Sequence, residues 1–136
     1  MKPIHDLEIK NLLKMALEAM DRAYAPYSNN RVGVCLKGAT GAYYLAGNVE
    51  NASCGASICA ERAALTKAVY EGERGFDALA IVTKNGFPVP CGICRQNLIE
   101  FCDAEMPVVC GNAAGDYKVY SLGELYPRPF TKGYLD

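Results

Sequence analysis

Histidine is almost missing from this 136-residue chain, and its one example, His5, lies ahead of the first predicted helix. A metal site with an imidazole ligand would have to draw it from that terminus, so His5 is given no role. An excess of either charge is missing too: 14 Lys and Arg stand against 15 Asp and Glu, and no Lys/Arg block interrupts the chain. That excludes a strong field for a polyanion and favours a free small molecule over nucleic acid as partner. No run approaches the length needed to span a bilayer, and Met1-Lys2-Pro3-Ile4-His5-Asp6 lacks the apolar stretch of a signal peptide. The expectation is a soluble, cytoplasmic protein with no membrane partner. Repeats, linkers and low-complexity segments are also absent, and the length suits one domain, 1–136, with a single core. At 51% hydrophobic and 21% charged residues the composition excludes disorder and leans towards apolar surface that subunits could bury between them. Cysteine is what the chain has in quantity. Seven is an odd number, which at these spacings does not suggest a fully paired disulfide framework, and a reduced, cytosolic setting fits better.

From Leu7 to Tyr24 the apolar residues Leu7, Leu12, Leu13, Ala16, Leu17, Met20 and Ala23 recur mostly at steps of three and four, which predicts a helix with Asp6 as N-cap. Pro26 stops it. Arg31 to Leu36 and Ala42 to Ala46 read as a hairpin around the Gly38/Gly41 turn, and the polar segment Gly47 to Ser57 as a working loop. A helix begins at Cys59 and ends near Gly72, and Ala78 to Thr83 suits a strand buried on both faces. Lys84 to Pro90 is loop, a further helix runs from Cys91 to about Phe101 or Cys102, and Met106 to Cys110 is the next strand. Tyr117 to Tyr120 returns the chain after a turn, and Ser121-x-x-Glu124 has capping-box spacing for a short helix. The predicted fold is α/β, a five-stranded mixed sheet with helices packed on it. Tyr24 and Tyr27 are expected in the core.

Two stretches carry chemistry. Cys59-Ala60-Glu61-Arg62 offers a thiol and a carboxylate two residues apart, and Pro90-Cys91-Gly92-Ile93-Cys94-Arg95-Gln96 offers two thiols three apart. Each opens a predicted helix, where unpaired N–H groups and the positive dipole end favour thiolate. Three thiolates leave zinc a fourth position for water, the catalytic arrangement, with Glu61 placed to accept that water's proton. A C-x-E motif followed by P-C-x-x-C also matches the signature of zinc nucleobase deaminases. Three other readings stand beside this one. The cysteines could be buried structural thiols, or a four-cysteine structural zinc site completed by Cys35, Cys54, Cys102 or Cys110. The Cys91–Cys94 pair could be a dithiol redox motif, which leaves Cys59-Ala60-Glu61 unexplained.

These motifs, with Asn48-Val49-Glu50-Asn51-Ala52-Ser53 and Tyr24-Ala25-Pro26-Tyr27-Ser28 followed by Val32-Gly33, resemble the small, homotetrameric class of cytidine deaminases over nearly the whole chain. The resemblance implies the three-layer fold of that family, one Zn2+ per chain held by Cys59, Cys91 and Cys94, and Glu61 as the catalytic proton carrier. It implies that Asn48 and Glu50 hold the ribose hydroxyls of a nucleoside, that the Ala60 N–H holds the base carbonyl, and that Arg62 offsets the anionic cluster through hydrogen bonds to sulfur. It also implies a homotetramer in which Phe130 reaches a neighbour's site. The implied reaction converts cytidine or deoxycytidine to the uridine product and ammonia. A non-catalytic nucleoside-sequestering protein would have no need of Glu61. Two positions depart from the family: Asn30 stands where a ring usually packs on the pyrimidine, and Cys54 where a tyrosine usually reaches a neighbouring subunit's nucleoside. The alternative expectation is therefore a shifted specificity, for a modified nucleoside, a free base or a nucleoside antibiotic.

Overall fold

The computed structural model describes residues 1–135. Five strands form one sheet: β1 (Gly33–Gly38), β2 (Tyr43–Gly47), β3 (Phe76–Thr83), β4 (Pro107–Asn112) and β5 (Tyr117–Ser121), in the order β2-β1-β3-β4-β5. Only the β3–β4 pair is parallel, its crossover made by a helix, and the other neighbours are antiparallel. Helix α1 (Asp6–Met20) covers one face, burying Ile9, Leu12 and Ala16 on Cys35, Ala78, Ala80, Val82 and Val109. Helices α2 (Ala60–Tyr70), α3 (Gly92–Phe101) and α4 (Leu122–Leu125) belong to the other face, where Val34, Leu36, Leu79, Ile81 and Val108 meet Ala64, Leu65, Ala68, Leu98 and Leu122. The three-layer α/β fold is the one expected. The central strand β3 supplies both cores by alternation, which is why its sequence reads as an unbroken apolar run.

Four local expectations are corrected. Helix α1 stops at Met20 because Tyr24 pairs with Val49, its N–H donating to the Asn48 carbonyl (2.9 Å) and its carbonyl accepting from the Glu50 N–H (2.8 Å). The N-cap position is His5, with no side-chain capping bond, and Asp6 sits in the first turn, where its charge still faces the positive helix end. Strand β3 begins at Phe76, because β1 is long enough to pair that far. Tyr24 and Tyr27 are exposed rather than core. The loop 47–58 contains its own pairing, Val49 with Ile58, and a 3-10 turn over Cys54–Ala56. The capping box at the start of α4 forms as predicted, Ser121 and Glu124 bonding each other's backbone N–H. A second 3-10 turn, Lys132–Leu135, lies in the C-terminal tail.

Candidate active site

Cys59 and Cys91 occupy the N-cap positions of α2 and α3, and Cys94 lies in the first turn of α3, so two helix N-termini bring three thiols together. Their sulfurs all lie within 4.8 Å of one another, and Cys59 and Cys91 are 3.8 Å apart. Tetrahedral zinc with Zn–S bonds of about 2.3 Å separates neighbouring sulfurs by about 3.8 Å, so the triad fits that ion. Its electrostatics point the same way. Burial raises the pKa of Cys59, the Cys94 thiol opposes this, and Glu61 and Cys91 add to it. Burial likewise pushes Cys94 well up, helped by Glu61 and Cys59. At Cys91 burial is outweighed by the Cys94 and Ile93 N–H groups and the other two thiols, and the pKa falls below the ordinary thiol value. Burial and mutual repulsion thus oppose ionising all three sulfurs together, and a divalent cation between them would relieve that opposition.

Glu61 is buried in the first turn of α2, and burial holds its carboxyl above the usual range against the pull of its own N–H and the Cys94 thiol. A carboxyl so raised lies closer to neutrality, where a group that both takes and gives a proton works best. It opens on a cavity of about 230 Å³ lined by Asn30, Asn48, Cys59, Ala60 and Cys91, with Val32, Ile81, Thr83, Pro88 and Val89 completing the wall. Ala60 is the first residue of α2, and its N–H has no partner within the helix.

A second cavity, of about 510 Å³, shares Asn48 and Cys59 with the first and adds Tyr27, Ser28, Glu50, Cys54 and Ser57. Glu50 is held by the 27–28 backbone: its Oε1 accepts from the N–H groups of Tyr27 (3.0 Å) and Ser28 (3.1 Å), and its Oε2 accepts from the Ser28 hydroxyl. The Ser28 hydroxyl and N–H, with the Tyr27 N–H, hold its carboxyl below the ordinary value against the opposing effect of desolvation. Asn48 spans from Asn30 to Val32, its Nδ2 donating to the Asn30 carbonyl (3.1 Å) and its Oδ1 accepting from the Val32 N–H (2.8 Å).

The structure thus gathers Cys59, Cys91, Cys94, Glu61 and Ala60 on one side and Glu50 and Cys54 on the other, with Asn48 between, and Asn30 beside Glu61. Phe130 joins neither cavity; it stacks on Tyr134 with ring centroids 5.5 Å apart, and its carbonyl accepts from Gln96 (2.8 Å). Arg62 donates to the Ser57 carbonyl (3.0 Å), and among the described residues it gives no hydrogen bond to a sulfur of the triad. Three contributions escaped the reading of the sequence. Ser28 orients Glu50 from 22 residues away, a pairing with no local signal. Thr83 enters the first cavity at the end of an apolar strand. Arg95 braces the Cys91 loop, its Nε donating to the Pro90 carbonyl and its Nη1 to the Leu125 carbonyl, both at 2.6 Å. A charged residue directly after a ligand cysteine was the available signal for Arg95.

Three thiols on two helix ends, a buried carboxylate beside them and an adjoining cavity are the parts of a metal-dependent hydrolase. The profile of the cytidine and deoxycytidylate deaminase zinc-binding region matches residues 7–110. A cytidine deaminase from Halalkalibacterium halodurans is 45% identical over 121 residues, covering 88% of this chain and 92% of that protein. One from Sporosarcina psychrophila is 40% identical over 127 residues, 93% of each. Among solved structures, the cytidine deaminase of Burkholderia pseudomallei superposes with a TM-score of 0.84 at 44% identity, covering 88% of this chain and 97% of that one. The chain belongs to the cytidine and deoxycytidylate deaminase family, zinc-dependent hydrolytic deaminases, and the Cys59, Cys91 and Cys94 group is positioned to bind the metal. That membership leaves no ground for the dithiol redox alternative.

Proposed function

We propose that this chain deaminates a free pyrimidine nucleoside, cytidine or deoxycytidine, to the uridine product and ammonia. The observation that carries the reading is Glu61, buried beside the cysteine triad and lining a cavity. Cys59, Cys91 and Cys94 would hold the zinc, which when bound would supply Lewis-acid activation of water. Glu61 takes a proton from water and delivers it to N3 of the base as the water oxygen bonds C4. It then carries that oxygen's remaining proton to the exocyclic amine, which leaves as ammonia when the C4–N bond breaks and the C4 carbonyl forms. The Ala60 N–H donates to the base carbonyl. Asn48 and Glu50 grip the sugar hydroxyls from the larger cavity, and Val32, Ile81, Pro88 and Val89 keep bulk water from the base. Arg62 acts on the site by fixing the Ser57 end of the loop that carries Asn48 and Glu50.

A second reading, the same chemistry on a modified nucleoside, a free base or a nucleoside antibiotic, is favoured by Asn30 and Cys54, which line the two cavities. Residues 1–136 act as one deaminase domain, working as a homotetramer in which Phe130 and Cys54 meet a neighbour's nucleoside. Seven unpaired thiols fit a reducing, cytoplasmic setting, and no helix among the described residues is long and apolar enough to cross a membrane. The test is a panel of amine-bearing nucleosides and bases screened for ammonia release, with metal content measured alongside. Glu61→Gln is expected to keep about one zinc per chain and lose nearly all turnover, since it moves protons and does not ligate. A zinc-loaded chain that releases no ammonia from any of the panel overturns the proposal.

A further inference from the structure

We propose that Ser28 is a positioning residue: it locks the Glu50 carboxylate for the sugar hydroxyls and ties that grip to the loop that borders the base cavity. The proposal rests on the reading of Glu50 as the sugar ligand given above. Glu50 is a half-buried carboxylate, and among the described residues no Lys or Arg forms an ion pair with it. A glutamate without a partner samples several rotamers, and ordering it when a ligand arrives costs entropy. Here that ordering is done in advance. A carboxylate offers about four acceptor sites, and three are taken by the Tyr27 N–H, the Ser28 N–H and the Ser28 hydroxyl. The remaining site lies on Oε2, the oxygen that Ser28 alone holds.

Ser28 also accepts. Its Oγ receives the Asn30 N–H at 3.0 Å, so the hydroxyl is a relay from Asn30 to Glu50. The Asn30 carbonyl in turn accepts from Asn48, which also holds the Val32 N–H. Glu50, Ser28, Asn30, Asn48 and Val32 form one hydrogen-bonded chain running from the larger cavity to the smaller. Asn29, with φ of 57°, makes the tight bend that lets Asn30 reach back to Ser28, a left-handed conformation that asparagine tolerates. None of this chain includes Glu61 or a thiol of the triad, so loosening it weakens the grip on the sugar and spares the proton transfer.

The experiment compares wild type with Ser28→Ala, Ser28→Thr and Glu50→Gln in the zinc-loaded enzyme. Calorimetry measures uridine and 2′,3′-dideoxyuridine, which carry the same base with and without the 2′- and 3′-hydroxyls, and steady-state assays measure cytidine. Losing one hydrogen bond to a charged group, with two backbone donors left, is expected to raise the uridine Kd and cytidine KM of Ser28→Ala about tenfold, with kcat and the dideoxyuridine Kd within about twofold. Ser28→Thr keeps a hydroxyl and is expected to recover most of the loss. If Ser28→Ala does not fold, Ser28→Cys, a weak donor of similar size, is expected to fall between wild type and that loss. Uridine binding that survives at wild-type strength in Ser28→Ala while Glu50→Gln loses it overturns the role of Ser28 and leaves the sugar ligand standing. Unchanged uridine binding in Glu50→Gln overturns the sugar ligand itself. Equal weakening of both ligands, or no recovery in Ser28→Thr, overturns the proposal by making Ser28 a general support of the loop.

Discussion

Asn30 borders the cavity on which Glu61 opens, at a position where the resemblance drawn from the sequence implies a ring packed on the pyrimidine. Base–aromatic stacking is worth about 1–3 kcal/mol per base, or roughly ten- to a hundredfold in binding. Asn30→Phe is therefore expected to lower the KM for cytidine by up to that factor, and wild type is expected to accept an analogue whose added polar group meets the amide. Steady-state assays with cytidine and polar-substituted analogues check both halves; family-like efficiency on cytidine that Asn30→Phe does not improve would sink the specificity shift. Arg62 is a second residue whose contact bears on the site, through its hydrogen bond to the Ser57 carbonyl. Its bond to the Ser57 carbonyl predicts that Arg62→Ala keeps zinc and fold while raising KM, because the loop bearing Asn48 and Glu50 loses its anchor. Loss of zinc with KM unchanged would return Arg62 to the sulfurs. The thiols and Glu61 could be read from the sequence because zinc chemistry fixes both residue type and spacing. The Ser28 clamp could not, since a serine and a glutamate 22 positions apart carry no mark of their pairing.

At the scale of elements the site depends on how α3 is held. Helix α3 carries Cys94 and is capped by Cys91, and Arg95 in its first turn ties it to the Pro90 carbonyl of the preceding loop and to the Leu125 carbonyl at the end of α4. Removing a charged donor from two partly buried carbonyls is expected to cost about 2–4 kcal/mol and to loosen Cys91 and Cys94. Arg95→Ala should thus lower the urea midpoint and release zinc to a chelator faster than wild type. Arg95→Lys should recover only part, because an ammonium lacks the planar fork that reaches both carbonyls at once. Wild-type zinc retention in Arg95→Ala would refute the brace. Helix α1 is placed by a different device. A Cβ built on Gly33 would come within 2.1 Å of the Ala16 carbonyl oxygen and 2.3 Å of the Met20 nitrogen, so the strand lies directly against helix backbone. Gly33→Ala is expected to destabilise by about 3 kcal/mol or more through overpacking, read as a lowered urea midpoint. The helices were legible from their apolar period and strand β3 from its unbroken apolar run. The end of α1 was not, because Tyr24 leaves the helical pattern for a long-range bridge to Val49.

For the whole molecule, the surface that surrounds the site bears on how many chains make a working enzyme. Tyr24, Tyr27, Val49, Ile58, Phe87, Val89 and Ile93 are all exposed on the loops and helix start that frame the cavities, and Phe130, Tyr134 and Leu135 are exposed in the tail. Large apolar side chains gathered around a site in this way are the usual mark of a surface that another chain covers. The fold could be read from one chain's pattern, but an interface cannot, since a residue packed on a neighbour looks the same in sequence as one packed at home. Phe130 separates the two cases. Within its own chain it only stacks on Tyr134 and remains half exposed, so truncating it removes little buried area and should barely move the melting temperature. If it reaches a neighbour's nucleoside in a homotetramer, Phe130→Ala should raise the KM for cytidine several-fold, consistent with a lost aromatic contact of about 1–3 kcal/mol. Light scattering on the wild type should then give roughly four times the chain mass of 14.7 kDa. A fully active monomer, or a Phe130→Ala variant that melts early with its KM intact, would mean that the tail aromatic serves only its own chain.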